Sequence, residues 1–127
     1  MAEYLARRLT PGHDIVFRSA GTGTQPLVHP SSGTVTVMAE LGIDLAGHRS
    51  TSVWEDGNAA DVVYALSAEH RDAMVVRWPG RADDIHMLRP DGGSIDDPYG
   101  MELADYRRSR DEIANAVRAR VETGWKT

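Results

Sequence analysis

A continuous apolar run in the middle of the chain constrains the fold more than any other feature. The stretch Asp61-Val62-Val63-Tyr64-Ala65-Leu66-Ser67 has no charged residue, glycine or proline between its two ends. A strand with one face in water would alternate apolar and polar residues, whereas a strand buried on both faces is apolar throughout. The run therefore predicts a strand of a parallel sheet that is covered by helices on both sides.

Other strand and helix patterns alternate along the chain around this run. Residues 14–20 and 84–88 are typical of two further strands. Helical periodicity occurs in four segments, which are residues 1–9, 32–41, 68–78 and 101–122. Alternating strands and helices predict the α/β class, with a three-layer open parallel sheet in a single domain over residues 1–127.

Composition and charge narrow the classes of function. The net charge of −5 argues against a general nucleic-acid surface, which needs a basic face. No apolar stretch approaches the ~20 residues of a membrane helix. The start, Met1-Ala2-Glu3-Tyr4, lacks the basic and apolar regions of a signal peptide. We therefore expect a cytoplasmic protein with no membrane or nucleic-acid partner.

The residues that usually hold metals are few and scattered. The chain contains no cysteine, which excludes a disulfide framework, a thiolate metal site and thiol chemistry by its own residues. No two histidines have the helical i, i+4 spacing of a metal pair. The five histidines are His13, His29, His48, His70 and His86. No metal or cofactor is therefore expected.

Three loops follow the predicted strands and share one edge of the sheet, where open parallel sheets bind ligands. They are the loop from Ser19 to Thr24, the turn at Ser67 and the loop from Arg89 to Gly100. The glycine-rich stretch from Gly21 to Thr24 lacks the endings of nucleotide-binding loops, which favours a wall loop over a nucleotide site. His48 has two interpretations, a base or a hydrogen-bonded loop residue.

The segment Asp96-Asp97-Pro98-Tyr99-Gly100 also has two interpretations. Asp before Pro commonly opens a turn, because Asp bonds the backbone ahead and Pro presets φ. Alternatively, Pro98 stiffens the loop and directs one carboxyl group into the crevice, where repulsion between two adjacent carboxylates keeps a proton available for transfer. The residues of this segment alone do not decide between a turn and an acid, or whether Asp96 tunes Asp97.

Five motifs in order resemble one family across nearly the whole chain. The motifs are M-A-E-x-L-x-R, R-S-A-G-T, L-G-I-D-L-x-G-H-R-S, A-D-V-V-Y-A-L-S-A-E-H-R and D-D-P-Y-G. Together they resemble the low-molecular-weight protein tyrosine phosphatases of the bacterial type. The resemblance implies a four-stranded parallel sheet and hydrolysis of phosphotyrosine or other aryl phosphates through a cysteinyl-phosphate, formed on a Cys-x5-Arg-[ST] phosphate loop.

The resemblance also assigns roles to four residues of this chain. Asp97 corresponds to the general acid that protonates the leaving phenolate. Tyr99 corresponds to the aromatic wall that packs on the substrate ring. Ser19 and His48 correspond to residues that brace the phosphate loop by hydrogen bonds.

This chain departs from the family pattern at its beginning, where Met1 is the M of the M-A-E helix. The resemblance implies that the first strand, which is central in the sheet, and the phosphate loop with its Cys and Arg would precede this helix. We therefore expect a truncated domain with two strands left unpaired and a tendency to form a homodimer through them.

Three hypotheses of function follow. The first is a protein tyrosine phosphatase whose phosphate loop is encoded upstream, and the second is a pseudophosphatase or interaction module without a nucleophile. The third is a reductase of arsenate with the same fold. It ranks last, because such enzymes relay a disulfide through further cysteines and this chain has none.

Overall fold

The computed structural model describes residues 1–12, 14–23 and 29–125 of the chain. Its helices and strands are α1 (Ala2–Leu9), α2 (Ser32–Ala39), α3 (Val53–Asp56), β1 (Val63–Ala65), α4 (Ala68–Arg77), β2 (Ile85–Met87) and α5 (Leu103–Thr123). Two 3₁₀ segments, Gly57–Ala59 and Pro79–Asp84, precede the two strands. None of the helices in these ranges is long and apolar enough to cross a membrane. His13 and Thr24 lie outside the described residues.

The helices agree closely with the sequence pattern, because their ends carry recognisable signals. The Ser31 and Ser67 side chains accept from the N–H groups of Thr34 and His70, and so cap the starts of α2 and α4. Gly42 follows α2 with a φ of 74°, a left-handed conformation that suits glycine at a helix end. The predicted helical segments are therefore confirmed, each to within two residues of its predicted ends.

The sheet consists of β1 and β2, which pair in parallel with Val63 opposite Ile85. The Leu88 N–H donates to the Ala65 carbonyl at 2.8 Å and so extends the pairing past the strand ends. Helix α4 connects the two strands, as expected for a parallel pair. The apolar run at residues 61–67 and the strand at 84–88 thus form the small parallel sheet that the sequence predicts.

Alternate strand residues face two separate cores, so the sheet is covered on both faces. One core contains Val53, Ala65, Met74 and Ile85, with Met74 contributed by α4. The other contains residues of α1, α2 and α5, and Tyr64 and Leu66 pack against it. Its buried members are Leu5, Ala6, Val37, Met38, Ile43, Leu45, Leu88, Ile95, Tyr106, Ile113, Ala114, Ala116 and Val117.

The predicted strand at residues 14–20 is wrong. Residues 15–20 belong to no strand, and only Gly21 forms an isolated parallel bridge, with Ser52. A strand requires backbone pairing, and within the described ranges no backbone–backbone hydrogen bond joins residues 15–20 to another segment. The described residues therefore form two strands and not the predicted three.

Side chains hold this unpaired segment in place. Arg7 donates to the Phe17 carbonyl at 3.1 Å, and the Phe17 ring lies 5.2 Å from that of Trp125. Trp125 also lies 5.2 Å from the Tyr64 ring and donates from Nε1 to the Thr10 hydroxyl at 3.2 Å. One indole thus links the segment at 15–20 to β1 and to the end of α1.

Two buried arginines fix α5 to the rest of the fold. Arg120 donates to the carbonyls of Leu88 at 3.0 Å and Met87 at 2.6 Å, and its guanidinium lies 5.1 Å from the centre of the Tyr64 ring. Arg110 donates to the Val37 carbonyl at 2.9 Å. The helix is therefore attached to β2 through Arg120 and to α2 through Arg110.

A carboxylate after α2 completes the attachment to α5. Glu40 accepts from Arg107 at 2.7 Å and from Arg110 at 2.7 Å. These hydrogen bonds, first that from Arg107 and then that from Arg110, lower the pKa of Glu40 to about 2 from its ordinary value of 4.5. Glu40 therefore stays ionised well below the pH at which a free carboxylate would take up a proton.

We expect Arg120→Met to lower the free energy of unfolding by about 2–4 kcal/mol, because it leaves two carbonyls without a donor and keeps the apolar stem. Urea denaturation followed by circular dichroism measures this. Arg118→Met is the control, since Arg118 is exposed on the same helix and donates to the Asn115 side chain at 3.2 Å. Equal losses in the two variants would contradict the role given to Arg120.

We expect the stabilisation from Glu40 to depend on pH. Its pKa in the folded state is lowered, so the stability it contributes is present above about pH 4.5 and is lost as the pH falls toward 2. The difference in unfolding midpoint between wild type and Glu40→Gln should therefore shrink over this range. Urea denaturation at successively lower pH measures it, with the exposed Glu55→Gln as control. A difference that does not change with pH would refute the assignment.

Candidate functional site

The loop that carries the paired aspartates is fixed at both ends. The Ile95 N–H donates to the Leu66 carbonyl at 2.8 Å, just beyond the carboxyl end of β1. The Ser109 hydroxyl, on α5, donates to the Asp96 carbonyl at 3.0 Å. Pro98 is buried. The loop therefore lies at the carboxyl end of β1, the edge at which the sequence predicts ligand binding, and is held against both the sheet and α5.

Asp97 is exposed, and its carboxyl group has a defined orientation. Oδ1 accepts the Tyr99 N–H at 3.0 Å, which closes a turn around Pro98. Among the described residues no hydrogen bond to Oδ2 is present. One carboxylate oxygen thus forms the turn, while the other remains open to solvent.

Tyr99 projects from the tip of this loop with 77% of its surface exposed. Gly100 follows with a φ of 80°, which favours glycine, and the Met101 N–H donates to the Pro98 carbonyl at 2.9 Å. An aromatic ring therefore stands two residues from an oriented carboxyl group.

Ser19 lies against the first turn of α1. Its hydroxyl donates to Oε1 of Glu3 at 2.7 Å, and Glu3 is only 9% exposed. The second oxygen of Glu3 pairs with Arg7 at 2.6 Å. The Thr51 hydroxyl donates to the Ser19 carbonyl at 3.0 Å. Ser19 therefore connects a buried carboxylate of α1 with the segment around Thr51.

His48 also contacts the first turn of α1. Its Nδ1 lies 3.4 Å from the Tyr4 hydroxyl, within hydrogen-bond distance, and the two rings meet edge to face at 5.4 Å. The Arg7 guanidinium also contacts Tyr4, since it lies 5.1 Å from the centre of the Tyr4 ring. Ser19 and His48 thus both reach the start of α1, through different partners.

The glycine loop after residue 20 is bound to the neighbouring segment. The Gly21 N–H donates to the Thr51 carbonyl at 2.9 Å, and the Gly21 carbonyl accepts from the Val53 N–H at 3.0 Å. Trp54 donates from Nε1 to the Thr22 carbonyl at 2.8 Å. The part of the loop that the structure describes is therefore held against the segment from Thr51 to Trp54.

The four predicted site residues fall into two groups. Asp97 and Tyr99 share one loop, and Ser19 and His48 meet the start of α1. Glu3, Tyr4, Arg7 and Thr51 also belong to the second group, although sequence reasoning did not select them. The i, i+4 spacing of Glu3 and Arg7 was the available signal, since it predicts an ion pair on one face of the helix.

This chain belongs to the low molecular weight phosphotyrosine protein phosphatase family, whose family model matches residues 1–123. The fold agrees with a low molecular weight protein tyrosine phosphatase from T. tengcongensis, at a TM-score of 0.88 and 31% identity. That alignment covers 97% of this chain and 88% of the other. The family predicted from the five motifs is therefore confirmed, together with its α/β fold of a small parallel sheet flanked by helices.

Curated relatives differ in their activities. A protein-arginine-phosphatase of Geobacillus stearothermophilus is 30% identical over 91% of this chain and 80% of its own length. An arsenate reductase of Brevibacillus brevis is 32% identical over 76% of this chain, which covers 66% of that enzyme. This chain has no cysteine at any of its 127 positions.

We expect Ser19→Ala to lower the free energy of unfolding by about 1–2 kcal/mol, because the buried Glu3 carboxylate loses a hydrogen bond donor. The loss stays moderate because Ser19 itself is partly exposed to solvent. Thermal unfolding followed by circular dichroism measures the change. The control is Ser32→Ala, since Ser32 is an exposed residue in the first turn of α2. If both variants melt like the wild type, the Ser19–Glu3 hydrogen bond contributes nothing to stability.

Proposed function

We propose that this chain carries the acid–base part of a phosphomonoester hydrolase site, which acts on phosphotyrosine in proteins or on small aryl phosphates. The geometry of Asp97 carries the proposal. The Tyr99 N–H holds one oxygen of Asp97 at 3.0 Å, while the side chain is exposed. An oriented, exposed carboxyl group beside an exposed aromatic ring suits a general acid that meets an aryl leaving group.

The proposed reaction has two proton transfers at Asp97. A nucleophile attacks phosphorus, the bond from phosphorus to the leaving oxygen breaks, and protonated Asp97 gives its proton to that oxygen. Asp97 is then a carboxylate. It accepts a proton from the water that attacks the covalent phosphoryl intermediate, which releases inorganic phosphate and restores both the nucleophile and the acid. Tyr99 packs on the aryl ring during the first step, until the phenol leaves.

In this proposal the nucleophile comes from outside the 127 residues, because a cysteinyl-phosphate needs a thiolate and the chain has no cysteine. A phosphate loop at the start of α1 would have Ser19 and His48 beside it as supports. The missing central strand of the family sheet would then lie between residues 15–20 and β1. Two observations favour this position. Within the described ranges, no backbone–backbone hydrogen bond joins residues 15–20 to another segment, and β1 pairs with β2 but with no second strand.

A pseudophosphatase or interaction module is the second candidate, favoured by the absence of cysteine from the chain. Such a protein would bind a phosphorylated side chain without breaking its ester, and Asp97 would have no leaving group to protonate. A reductase of arsenate is the weakest candidate. It would require further thiols in the body of the chain to relay a disulfide.

The relatives leave the leaving group open between an aryl oxygen and a guanidinium nitrogen, since one of them is a protein-arginine-phosphatase. Tyr99 supports the aryl group, because aromatic rings stack on one another. A ring can also attract a cation, so peptides that carry phosphotyrosine or phosphoarginine should be compared directly.

We expect the 127-residue chain alone not to hydrolyse p-nitrophenyl phosphate above the buffer rate. The chain extended by the residues encoded in frame upstream of Met1 should hydrolyse it. Asp97→Asn in that extended protein should lower kcat roughly 100- to 10,000-fold, because the leaving group loses its proton donor. Steady-state kinetics measures these rates, and Asp83→Asn, an exposed carboxylate on the 3₁₀ segment before β2, is the control.

Three results would contradict parts of this proposal. Turnover by the 127-residue chain alone would contradict the external nucleophile. An upstream reading frame that encodes no Cys-x5-Arg segment would favour the interaction module. Full activity of Asp97→Asn in an active extended protein would remove Asp97 from the role of general acid.

A further inference from the structure

Three large apolar side chains are exposed at alternate positions immediately after Asp97. Tyr99 is 77% exposed, Met101 58% and Leu103 42%. The other exposed large apolar residues of the described chain are dispersed along the sequence, at Val16, Leu41, Trp54 and Val76. A local concentration of exposed apolar surface is typical of a binding surface rather than of an ordinary exterior.

The surface formed by Tyr99, Met101 and Leu103 rests on ordered backbone. The Met101 N–H donates to the Pro98 carbonyl at 2.9 Å, and Pro98 is itself buried. Leu103 is the first residue of α5, and just before it the Glu102 N–H donates to the Asp105 carboxylate at 3.2 Å. A preordered surface loses little conformational entropy on binding, so its apolar area contributes to affinity.

Acidic residues are the sequence neighbours of these apolar side chains. The stretch from Ser94 to Tyr106 contains four carboxylates and no basic residue. They are Asp96, Asp97, Glu102 and Asp105. Asp105 pairs with Arg108, whereas Asp96 and Glu102 are exposed. A partner that complements this surface therefore carries apolar side chains together with a basic one.

We propose that Met101 and Leu103, next to the Tyr99 ring that packs on the phosphorylated side chain, form a docking surface for the residues that flank this side chain in a protein substrate, and that these flanking residues are apolar and basic. The proposal rests on the proposed function, because Asp97 marks where the phosphorylated side chain is bound. Asp97 and Met101 belong to two overlapping turns, one closed by the Tyr99 N–H on Asp97 and the other by the Met101 N–H on Pro98. A peptide that presents its phosphate near Asp97 therefore passes its neighbouring residues over Met101 and Leu103, since each extended residue spans about 3.3–3.6 Å.

The experiment measures the Kd of fluorescent peptides for the full 127-residue chain by anisotropy. One phosphotyrosine peptide has leucine and arginine beside the phosphotyrosine, and a second has serine and glutamate at those positions. Each is made with and without the phosphate. The double variant Met101→Ser, Leu103→Ser should bind the leucine–arginine peptide about tenfold more weakly than wild type, from lost apolar burial. Val76→Ser is the control, since Val76 is 82% exposed on α4.

Support requires that the double variant weakens binding, that Val76→Ser does not, and that wild type prefers the leucine–arginine peptide. Equal Kd values for wild type and double variant, equal weakening by Val76→Ser, or no measurable binding of either peptide would overturn the docking surface. So would a wild-type dimer that the double variant dissociates in sedimentation velocity, because the occupant would then be a second copy. Circular dichroism spectra confirm that the variants are folded.

Comparison of the phosphorylated and unphosphorylated peptides distinguishes a failure of the docking surface from a failure of the proposed function. If phosphorylated and unphosphorylated peptides bind equally, the phosphate site at Asp97 fails. The docking surface is still judged by the ratio of the Kd values of wild type and double variant for the unphosphorylated peptide. If the phosphate strengthens binding but the double variant does not weaken it, the docking surface fails and the phosphate site stands.

Discussion

The hydrogen bonds from Arg120 to the carbonyls of Leu88 and Met87 are the contact on which the arrangement of the sheet and the site depends. Strand β2 has only three residues, so its carboxyl end has few backbone partners of its own. A guanidinium with its donors in a rigid fork satisfies two successive carbonyls at once and ties them to the longest helix. The loop that carries Asp97 leaves this end of β2 and is then bound by Ser109 of the same helix. One helix therefore sets both the end of the sheet and the position of the candidate acid.

Helices were predictable from the sequence because their signals are local. The caps at Ser31 and Ser67 and the glycine at 42 lie within a few residues of the ends that they define. The strand predicted at 14–20 failed because pairing is not local: the segment has a strand-like composition, but a strand requires a second backbone beside it. The short helix α3 was missed because its four residues are too few for a periodic pattern.

The candidate site was predictable only in part for a related reason. The motif around Asp97 is contiguous, so the sequence alone selects both a candidate acid and the ring beside it. The cluster at the start of α1 joins residues from distant segments, and no spacing rule would bring Glu3 to Ser19 or Tyr4 to His48. The two interpretations of the Asp-Pro segment prove to be compatible. The hydrogen bond to the Tyr99 N–H that makes Asp97 a turn residue also orients its carboxyl group.

The contact of Trp125 with Thr10 has a consequence for how the chain acquires its structure. These residues are 115 positions apart in sequence, and the same indole packs on Phe17 and Tyr64. Closing so long a loop costs conformational entropy before any packing is gained. During synthesis, the chain through Trp125 must leave the ribosome before Phe17 can meet its partner ring. The segment at 15–20 is therefore expected to become ordered last, after the helices and the paired strands have formed.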